Sequence, residues 1–339
     1  MPPDPGRSGA LRRWHHLGVT ASALLSGCAH TVNLLHPTTP CYSGRHGAAA
    51  TEERSAERLS FHAVTYNIEH SRRIDRAIDV LEHDALRRAD LYALTEMDEE
   101  GVSQIARRLG LNYAYYPSVI YPATGRYYGP AILSPWPIER SWKVMLPHEG
   151  GWRRQRRTAT AAILRLPSGR ILTYSLHLEP AVRLSEGKRR DQIRAVLEDA
   201  AGFAGQVVIA GDLNSYGIGL LIEREGYRWL TKLVGPTVHR ASWDHIFIKG
   251  AEPGARIRAG TVRARGVSDH RPVWATIDPG APDSAAISDA RRPPRSRLAG
   301  TAAHRTARGA RRAPPCRESW RACPARLAPR PSASAPGAS

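Results

Sequence analysis

The stretch Val207 to Asn214, which reads VVIAGDLN, is the feature around which this chain is organised. Residues 206–210 form a short apolar run typical of a buried strand. The run stops at Gly211 and is followed at once by Asp212 and Asn214. Because a strand buried on both faces leaves only its end free, the first polar groups past that end are where a site can form. An Asp-x-Asn pair also makes turns and caps, so the pair alone does not identify a site.

The same arrangement, a polar side chain at the end of a predicted strand, recurs along the chain. One such residue is usually a cap or a satisfied polar group. Six separate elements with this arrangement in one domain are hard to explain as capping. The polar residues at the strand ends are Asn67 with Glu69, Glu96, His177, Asp212 with Asn214, Asp244 with His245, and Asp269 with His270.

Predicted strands outnumber predicted helices between residues 59 and 279, and the helices occur singly between groups of strands. This pattern predicts two sheets packed face to face with helices outside. Strands are predicted at 61–68, 90–97, 113–119, 130–133, 158–166, 170–178, 206–210, 244–249, 256–263 and 272–277. Helices are predicted at 73–88, 102–109 and 187–203, with a short one near Leu220.

The cysteine distribution limits the chemistry of this region. The four cysteines are Cys28, Cys41, Cys316 and Cys323, so none lies in residues 59–279. Catalysis there must use oxygen and nitrogen ligands, and carboxylate oxygens without thiolates favour Mg²⁺ or Mn²⁺. Such an ion polarises a phosphoryl oxygen, a further base accepts the proton of the attacking water, and imidazoles and amides hold the non-bridging oxygens. The residue types therefore indicate metal-assisted phosphoester hydrolysis.

The N-terminus predicts export and lipid anchoring. Residues 1–28 have an arginine-containing start and an apolar stretch, 17–25, that is shorter than the roughly 20 residues needed to span a bilayer. The stretch ends in Leu25-Ser26-Gly27-Cys28, which resembles the bacterial lipobox, in which the cysteine is lipidated. Polar residues 29–58 are predicted to be a flexible tether. These features predict a lipoprotein on the periplasmic or extracellular face of a membrane.

The C-terminal segment 280–339 is rich in Arg, Ala, Pro and Ser and has no periodicity, so it is predicted to be a disordered tail. It has twelve arginines against three acidic residues, a net charge of +9, which is half of the chain's formal +18. A basic chain suits nucleic acid or anionic membranes, but a charged tail says little about the folded part. An accidental extension of a GC-rich reading frame is the alternative.

The motifs between residues 65 and 270, in their order, resemble the endonuclease/exonuclease/phosphatase superfamily. This superfamily includes DNase I, exonuclease III-type repair nucleases, inositol polyphosphate 5-phosphatases and bacterial sphingomyelinases. The resemblance implies an α/β fold, a DNase I-like four-layer α/β/β/α sandwich of two packed, mainly antiparallel sheets with helices outside. The motifs are Thr65-Tyr66-Asn67, Thr95-Glu96, residues 129–134, Leu176-His177-Leu178, residues 211–214, Asp244-His245-Ile246 and Ser268-Asp269-His270.

The resemblance implies a Mg²⁺ or Mn²⁺ site. Glu96 is the expected principal metal ligand, with Asn67 beside it. Asp269 is the expected further carboxylate on the metal side. For Asn67 and Asp269 a positioning role is the alternative.

The resemblance also implies the catalytic roles. Asp212 is the expected base that activates water, and Asn214 is expected to bind the phosphate. His177 is the expected donor to a phosphate oxygen, and His270 the expected transition-state imidazole. Asp244 is expected to orient His270, as carboxylates orient other catalytic imidazoles.

Two local features bear on the substrate. Residues 152–157, which read WRRQRR, can grip a polyanion or a lipid headgroup, or form a solvated loop. The tyrosines between residues 113 and 128 can stack on bases or pack within β-structure. The candidate substrate-binding residues are Arg153, Arg154, Arg156, Arg157 and Tyr128.

Three functions stay open for this chain, which is expected to be a monomer. The first is a metal-dependent phosphodiesterase or nuclease acting outside the cytoplasm. The second is a phospholipid or inositol-phosphate phosphohydrolase at the membrane that holds it. The third is a catalytically inactive, lipid-anchored binding protein, which would have no need of Asp212, Asp244 and His270 together.

Overall fold

A computed structural model describes residues 31–47, 60–151 and 153–279. The predicted signal segment, residues 48–59 and the C-terminal segment lie outside the described residues. The strands are β1 (Val32–Asn33), β2 (Tyr42–Gly44), β3 (Phe61–Asn67), β4 (Leu91–Met97), β5 (Asn112–Tyr115), β6 (Val119–Ile120), β7 (Tyr127–Ser134), β8 (Ile138–Gly150), β9 (Gln155–Leu166), β10 (Gly169–His177), β11 (Gln206–Asp212), β12 (Arg228–Trp229), β13 (Asp244–Lys249), β14 (Arg256–Thr261) and β15 (Val273–Asp278). The helices are α1 (Ile74–Leu81), α2 (Glu99–Leu109), α3 (Glu186–Ala200) and α4 (Tyr216–Arg224).

The strands form two sheets. A nine-stranded sheet follows the order β1-β6-β7-β4-β3-β15-β14, with β5 paired to β7 and β2 paired to β5. A six-stranded sheet follows the order β12-β13-β11-β10-β9-β8. Apolar side chains of both sheets, such as Ala63, Ile132, Leu164 and Ile246, form one buried cluster between them.

The helices cover the outer faces of the sheets. Side chains of α1 and α2 share a buried cluster with the nine-stranded sheet. Side chains of α3 and α4 share another with the six-stranded sheet. The predicted four-layer α/β/β/α sandwich is confirmed. No helix in the described part of the chain is long and apolar enough to cross a membrane.

One parallel strand pair in each sheet positions the polar strand ends. β3 runs parallel to β4, and β10 runs parallel to β11, with His177 directly opposite Asp212. Carboxyl ends of parallel strands share one edge of a sheet, so both pairs deliver their last residues to the same side. Gly211 allows β11 to reach that edge, since its φ is +148° and a Cβ there would lie 1.9 Å from the Leu176 carbonyl oxygen.

The structure corrects the predicted tether. Val32–Asn33 pairs with β6, and Tyr42–Gly44 pairs with β5. The Lys143 ammonium also donates to the Leu34 carbonyl at 3.1 Å. Residues 31–47 are therefore part of the folded domain rather than a flexible linker, and the domain does not begin at residue 59.

Other boundaries also differ from the prediction. The α1 helix ends at Leu81 rather than at residue 88, and turns follow it. The α2 helix begins at Glu99, ahead of the predicted residue 102, because the Asp98 carboxylate caps it by accepting from the Gly101 amide at 2.8 Å. The strand β8 was not predicted, because Pro147 and several charged residues interrupt its apolar pattern.

Candidate active site

The two strand pairs meet through the side-chain amide of Asn67. Its Nδ2 donates to Glu96 Oε1 at 3.2 Å and to Asp212 Oδ2 at 3.1 Å. Asn67 and Glu96 belong to one sheet and Asp212 to the other, so this amide bridges the sandwich. The Asn67 Oδ1 accepts from the Glu69 amide at 3.1 Å, which fixes the orientation of the Asn67 side chain.

An irregularity in β4 delivers Glu96 to this site. The register between β4 and β7 shifts between Leu94 and Met97, and Glu96 has a φ of +60°. A bulge of this kind turns a side chain away from the regular alternation, and such backbone strain is typical of functional sites. The second carboxylate oxygen of Glu96 accepts from the His70 amide at 3.1 Å.

Asp212 lies at the centre of the site and is buried. Its Oδ1 accepts from the Asn214 backbone amide at 2.8 Å. Burial, and then the nearby Asp244 charge, raise the pKa of Asp212 to about 7. A carboxyl group with this pKa can accept a proton near neutral pH. The Asn214 side-chain amide donates to the Leu178 carbonyl at 3.0 Å, beside Asp212.

His270 is held by a chain of hydrogen bonds from the other side of Asp212. Its Nδ1 lies 2.8 Å from Asp244 Oδ2, and the Thr237 hydroxyl donates to the same oxygen at 2.6 Å. Its Nε2 lies 3.7 Å from Asp212 Oδ2. Burial alone lowers the pKa of His270, but the Asp244 carboxylate outweighs burial and raises it to about 10. His270 is therefore an oriented imidazolium.

His177 lies in the same sheet as Asp212 and also faces it, but His177 is neutral whereas His270 is charged. Its Nε2 lies 3.4 Å from Asp212 Oδ2, and its Nδ1 lies 3.3 Å from the Tyr128 hydroxyl. Burial, and then the Arg157 charge, hold the pKa of His177 well below its ordinary value. Because Arg157 donates to the Tyr128 oxygen at 3.0 Å, the Tyr128 hydroxyl can donate to Nδ1 and leave the proton of neutral His177 on Nε2.

The oxygen atoms of the site fit a divalent cation. Asp212, Asp244 and His270 each offer an atom within 4.8 Å of the others. His270 is a poor ligand, however, because its raised pKa keeps it protonated and its Nδ1 faces Asp244. The oxygens of Glu96 and Asp212, bridged by Asn67, are the better set, and they are the hard ligands that Mg²⁺ or Mn²⁺ prefers. A cation there would also favour the ionised form of Asp212 and so lower the pKa that burial and the Asp244 charge raise.

Asp269 does not join this group. It is exposed, and its Oδ1 accepts from the Ser268 hydroxyl at 3.5 Å. The structure brings the predicted metal ligands Glu96 and Asn67 together, whereas Asp269 lies next to His270 in the chain and outside that pair.

The structure separates the predicted substrate-binding arginines. Arg157 is only 4% exposed, because its guanidinium is enclosed by an ion pair with Glu179 and a hydrogen bond to Tyr128. Arg157 is therefore held by partners inside the domain, and the Tyr128 hydroxyl contacts His177, so neither is an exposed gripping residue. Direct binding of substrate by these two residues stays a prediction. Arg154 pairs with Glu149 at 2.8 Å.

The two remaining arginines of that segment are half-buried. Arg153 lies 3.5 Å from the Tyr121 hydroxyl, which keeps it beside the aromatic side chains at the edge of the site. The Arg156 backbone amide donates to Asn33 in β1 at 2.7 Å. The basic stretch is thus neither one gripping surface nor a solvated loop.

Three site residues were missed by the sequence analysis. Ser268 connects the halves of the site, since its hydroxyl donates to the Asn67 carbonyl at 2.7 Å and accepts from the His270 amide at 3.0 Å. Its place in the Ser-Asp-His motif was the available signal. Thr237 and His70 come from loops with no motif, so only the folded structure places them at the site. Tyr121, one of the predicted stacking tyrosines, lies against the His70 ring.

Comparisons with known proteins agree with the observed fold. The sequence model of the Endonuclease/Exonuclease/phosphatase family matches residues 64–270. An endonuclease/exonuclease/phosphatase from Beutenbergia cavernae has a similar structure, with a TM-score of 0.53 and 18% identity over 66% of this chain and 72% of that one. An endonuclease/exonuclease/phosphatase from Bacteroides vulgatus gives a TM-score of 0.54 and 15% identity over 65% of this chain and 99% of that one. No functionally curated protein matches the sequence.

The matched segment begins within β3 and ends at His270, so it contains every strand end that contributes to the site. At identities below one fifth the similar structures establish the fold alone, whereas the family match covers more than half of the chain. The chain therefore belongs to the endonuclease/exonuclease/phosphatase family.

Proposed function

We propose that this protein is a Mg²⁺- or Mn²⁺-dependent phosphodiesterase that cleaves nucleic acid. The observation that carries the proposal is the environment of Asp212, whose Oδ2 lies between a neutral His177 and a protonated His270. A base flanked by two N–H donors suits attack of water on an anionic phosphoester. A binding protein without catalysis would not need this combination.

Each residue of the site has a distinct task in hydrolysis. Asp212 accepts the proton of the attacking water, and the Asn67 and Asn214 N–H groups fix its orientation. The Nε2–H groups of His177 and His270 donate to the oxygens on which negative charge develops. Glu96 and Asp212, held together by the Asn67 side-chain amide, would bind the metal ion, which would polarise the phosphoryl oxygen and neutralise charge.

An aromatic cluster beside Glu96 supports a nucleic-acid substrate. The His70 ring lies 4.5 Å from the Tyr121 ring and 5.0 Å from the Tyr128 ring. Tyr121 is half-buried and leaves part of its ring accessible, whereas Tyr128 is buried. An accessible ring next to a phosphate site suits the stacking of a base.

A phospholipid-headgroup phosphohydrolase is the second candidate, and two exposed aliphatic side chains favour it. Val182 is 91% exposed and Leu233 is 93% exposed. Val182 lies in the loop after His177, and Leu233 lies in the loop before Asp244, so both loops leave the same edge of the six-stranded sheet as the site. Exposed aliphatic residues on that edge suit contact with a lipid surface.

Hydrolysis by the full-length protein in Mg²⁺, and then in excess EDTA, tests the proposal. We expect EDTA-sensitive cleavage of plasmid DNA, RNA or both, with activity restored by added Mg²⁺ or Mn²⁺. The panel also includes sphingomyelin, other phospholipids and inositol phosphates. Cleavage of lipid headgroups alone would establish the second candidate, and cleavage that persists in EDTA would refute the metal dependence.

We further propose that the protein is a monomer that is exported and anchored through Cys28. The lipobox-like sequence supports the anchor. A Cys28→Ser variant is expected to move from the membrane fraction to the soluble exported fraction. An unchanged membrane association would contradict the anchor.

A further inference from the structure

A basic cavity opens beside His270, and the proposed catalytic step does not use it. Its volume is about 210 Å³, and its lining comes entirely from residues 263–271, between β14 and β15. Three lining residues, Arg263, Arg265 and Arg271, are exposed arginines. None of the three guanidinium groups forms an ion pair within the described ranges of the chain.

The cavity shares its inner wall with the catalytic centre. Ser268 and His270 both line it. The Ser268 hydroxyl donates to the Asn67 carbonyl at 2.7 Å, and the His270 Nε2 lies 3.7 Å from Asp212 Oδ2. A group held in the cavity would therefore lie next to the phosphate that is being cleaved.

The charge of the cavity favours an anion. The lining residues include three arginines and one carboxylate, that of Asp269, which gives a net charge of +2 before His270 is counted. Two further arginines of the α1 region hold the same segment, since the Nη1 atoms of Arg73 and Arg76 each lie 3.5 Å from a backbone carbonyl, those of Val267 and Gly266. Clustered charges of one sign in a concave surface attract the opposite charge.

The volume of the cavity and its arginine N–H donors indicate which class of ligand it can hold. Pockets that enclose drug-sized molecules measure roughly 300–1,000 Å³, so a cavity of about 210 Å³ suits a single anionic group rather than a whole nucleotide. Arginine presents a planar pair of N–H donors that matches the oxygens of a phosphate group.

We propose that this cavity is a second phosphate subsite, which holds the phosphate adjacent to the scissile one in a nucleic-acid strand. The inference rests on the proposed phosphodiesterase function and deepens it, because it requires a substrate with at least two neighbouring phosphates. A single-phosphate ester would occupy the catalytic centre and leave the cavity unused.

Binding of a short fluorescein-labelled single-stranded oligonucleotide in EDTA tests the subsite independently of catalysis. The full-length protein in detergent is compared with the triple variant Arg263→Gln, Arg265→Gln, Arg271→Gln over a range of salt concentrations. We expect the triple variant to bind about tenfold more weakly. We also expect the slope of log K against log salt to become shallower by about 0.7, because one phosphate contact to a single strand is lost.

A charge-matched control and a one-phosphate substrate separate this result from general effects. The control is the triple variant Arg87→Gln, Arg108→Gln, Arg224→Gln, which removes three exposed arginines that do not line the cavity. It is expected to leave the affinity and the slope unchanged. Hydrolysis of bis(p-nitrophenyl) phosphate in Mg²⁺ is expected to be equal in the wild type and the triple variant. A triple variant that binds the oligonucleotide with wild-type affinity and slope would overturn the subsite, even if hydrolysis is metal-dependent.

Two other outcomes are decisive. If the triple variant also loses hydrolysis of the one-phosphate ester, the arginines serve the catalytic centre or the fold, and the subsite is overturned. If the wild type cleaves no phosphodiester but the triple variant shows the expected binding defect, the subsite stands and the proposed function fails.

Discussion

Replacement of Asp212 by Asn is expected to reduce phosphodiester hydrolysis by about 10²–10⁴-fold, the range that a positioned base contributes. Asparagine keeps the size of the side chain but cannot accept the proton of the attacking water. The measurement is the kcat of the variant on bis(p-nitrophenyl) phosphate at saturating Mg²⁺. Asp79→Asn, an exposed change on α1, is the control and should retain wild-type activity.

The pH profile shows whether Asp212 acts as the base. Activity should rise with pH as Asp212 deprotonates, at a lower pH than its metal-free value of about 7, because a bound cation favours the carboxylate. It should fall again as His270 loses its proton near pH 10. Wild-type activity in Asp212→Asn, or a residual activity that keeps the acidic limb, would assign the base elsewhere.

The same substitution should not destabilise the protein in EDTA. The pKa of Asp212 is raised in the folded state, so its ionised form costs stability as the pH rises from the ordinary aspartate value, about 4, through about 7. Asparagine removes that cost, and the urea midpoint of the variant at pH 8 is therefore expected to equal or exceed that of the wild type. A much lower midpoint would mean that lost activity reflects unfolding.

Much of the fold could be predicted because the central strands carry strong local signals. The run 206–210 is apolar, short and closed by glycine, and it forms β11 as expected. The edge elements β1 and β2 could not be predicted in this way. They are two and three residues long, and their stability comes from pairing with β6 and β5, which are distant in sequence.

The site likewise contains residues that could be predicted from the sequence and residues that could not. Residues at strand ends, such as Glu96, Asp212 and His270, were found because a polar residue next to an apolar run is visible in the sequence. The surroundings of Arg157 were not visible, because its partner Glu179 lies 22 residues away and nothing in the local pattern marks the pair. A run of arginines looks like a surface feature, yet alternation along β9 turns Arg157 inward.

The buried pair of Arg157 and Glu179 gives the largest expected effect on stability. Both side chains are almost fully enclosed, at 5% and 0% exposed. Glu179→Gln leaves the Arg157 charge buried without its partner, and this is expected to lower the free energy of unfolding by about 3–5 kcal/mol. Glu139→Gln breaks a half-exposed pair with Arg170 and should cost at most about 1 kcal/mol. Urea unfolding monitored by circular dichroism measures both.

The double variant Arg157→Met, Glu179→Leu distinguishes the effect of the buried charges on stability from the effect of side-chain packing. Replacing both members of a buried ion pair with apolar residues is often neutral, so most of the lost stability should return. Catalysis should not return with it, because Tyr128 has lost the donor at 3.0 Å that orients its hydroxyl toward His177. We expect a folded protein with reduced kcat. The pKa of His177 should rise, because the Arg157 charge no longer adds to the effect of burial in lowering it. Any change in the pH profile should therefore come from His177 and not from Asp212. A double variant with wild-type kcat and pH profile would show that the pair stabilises the fold and has no part in positioning His177.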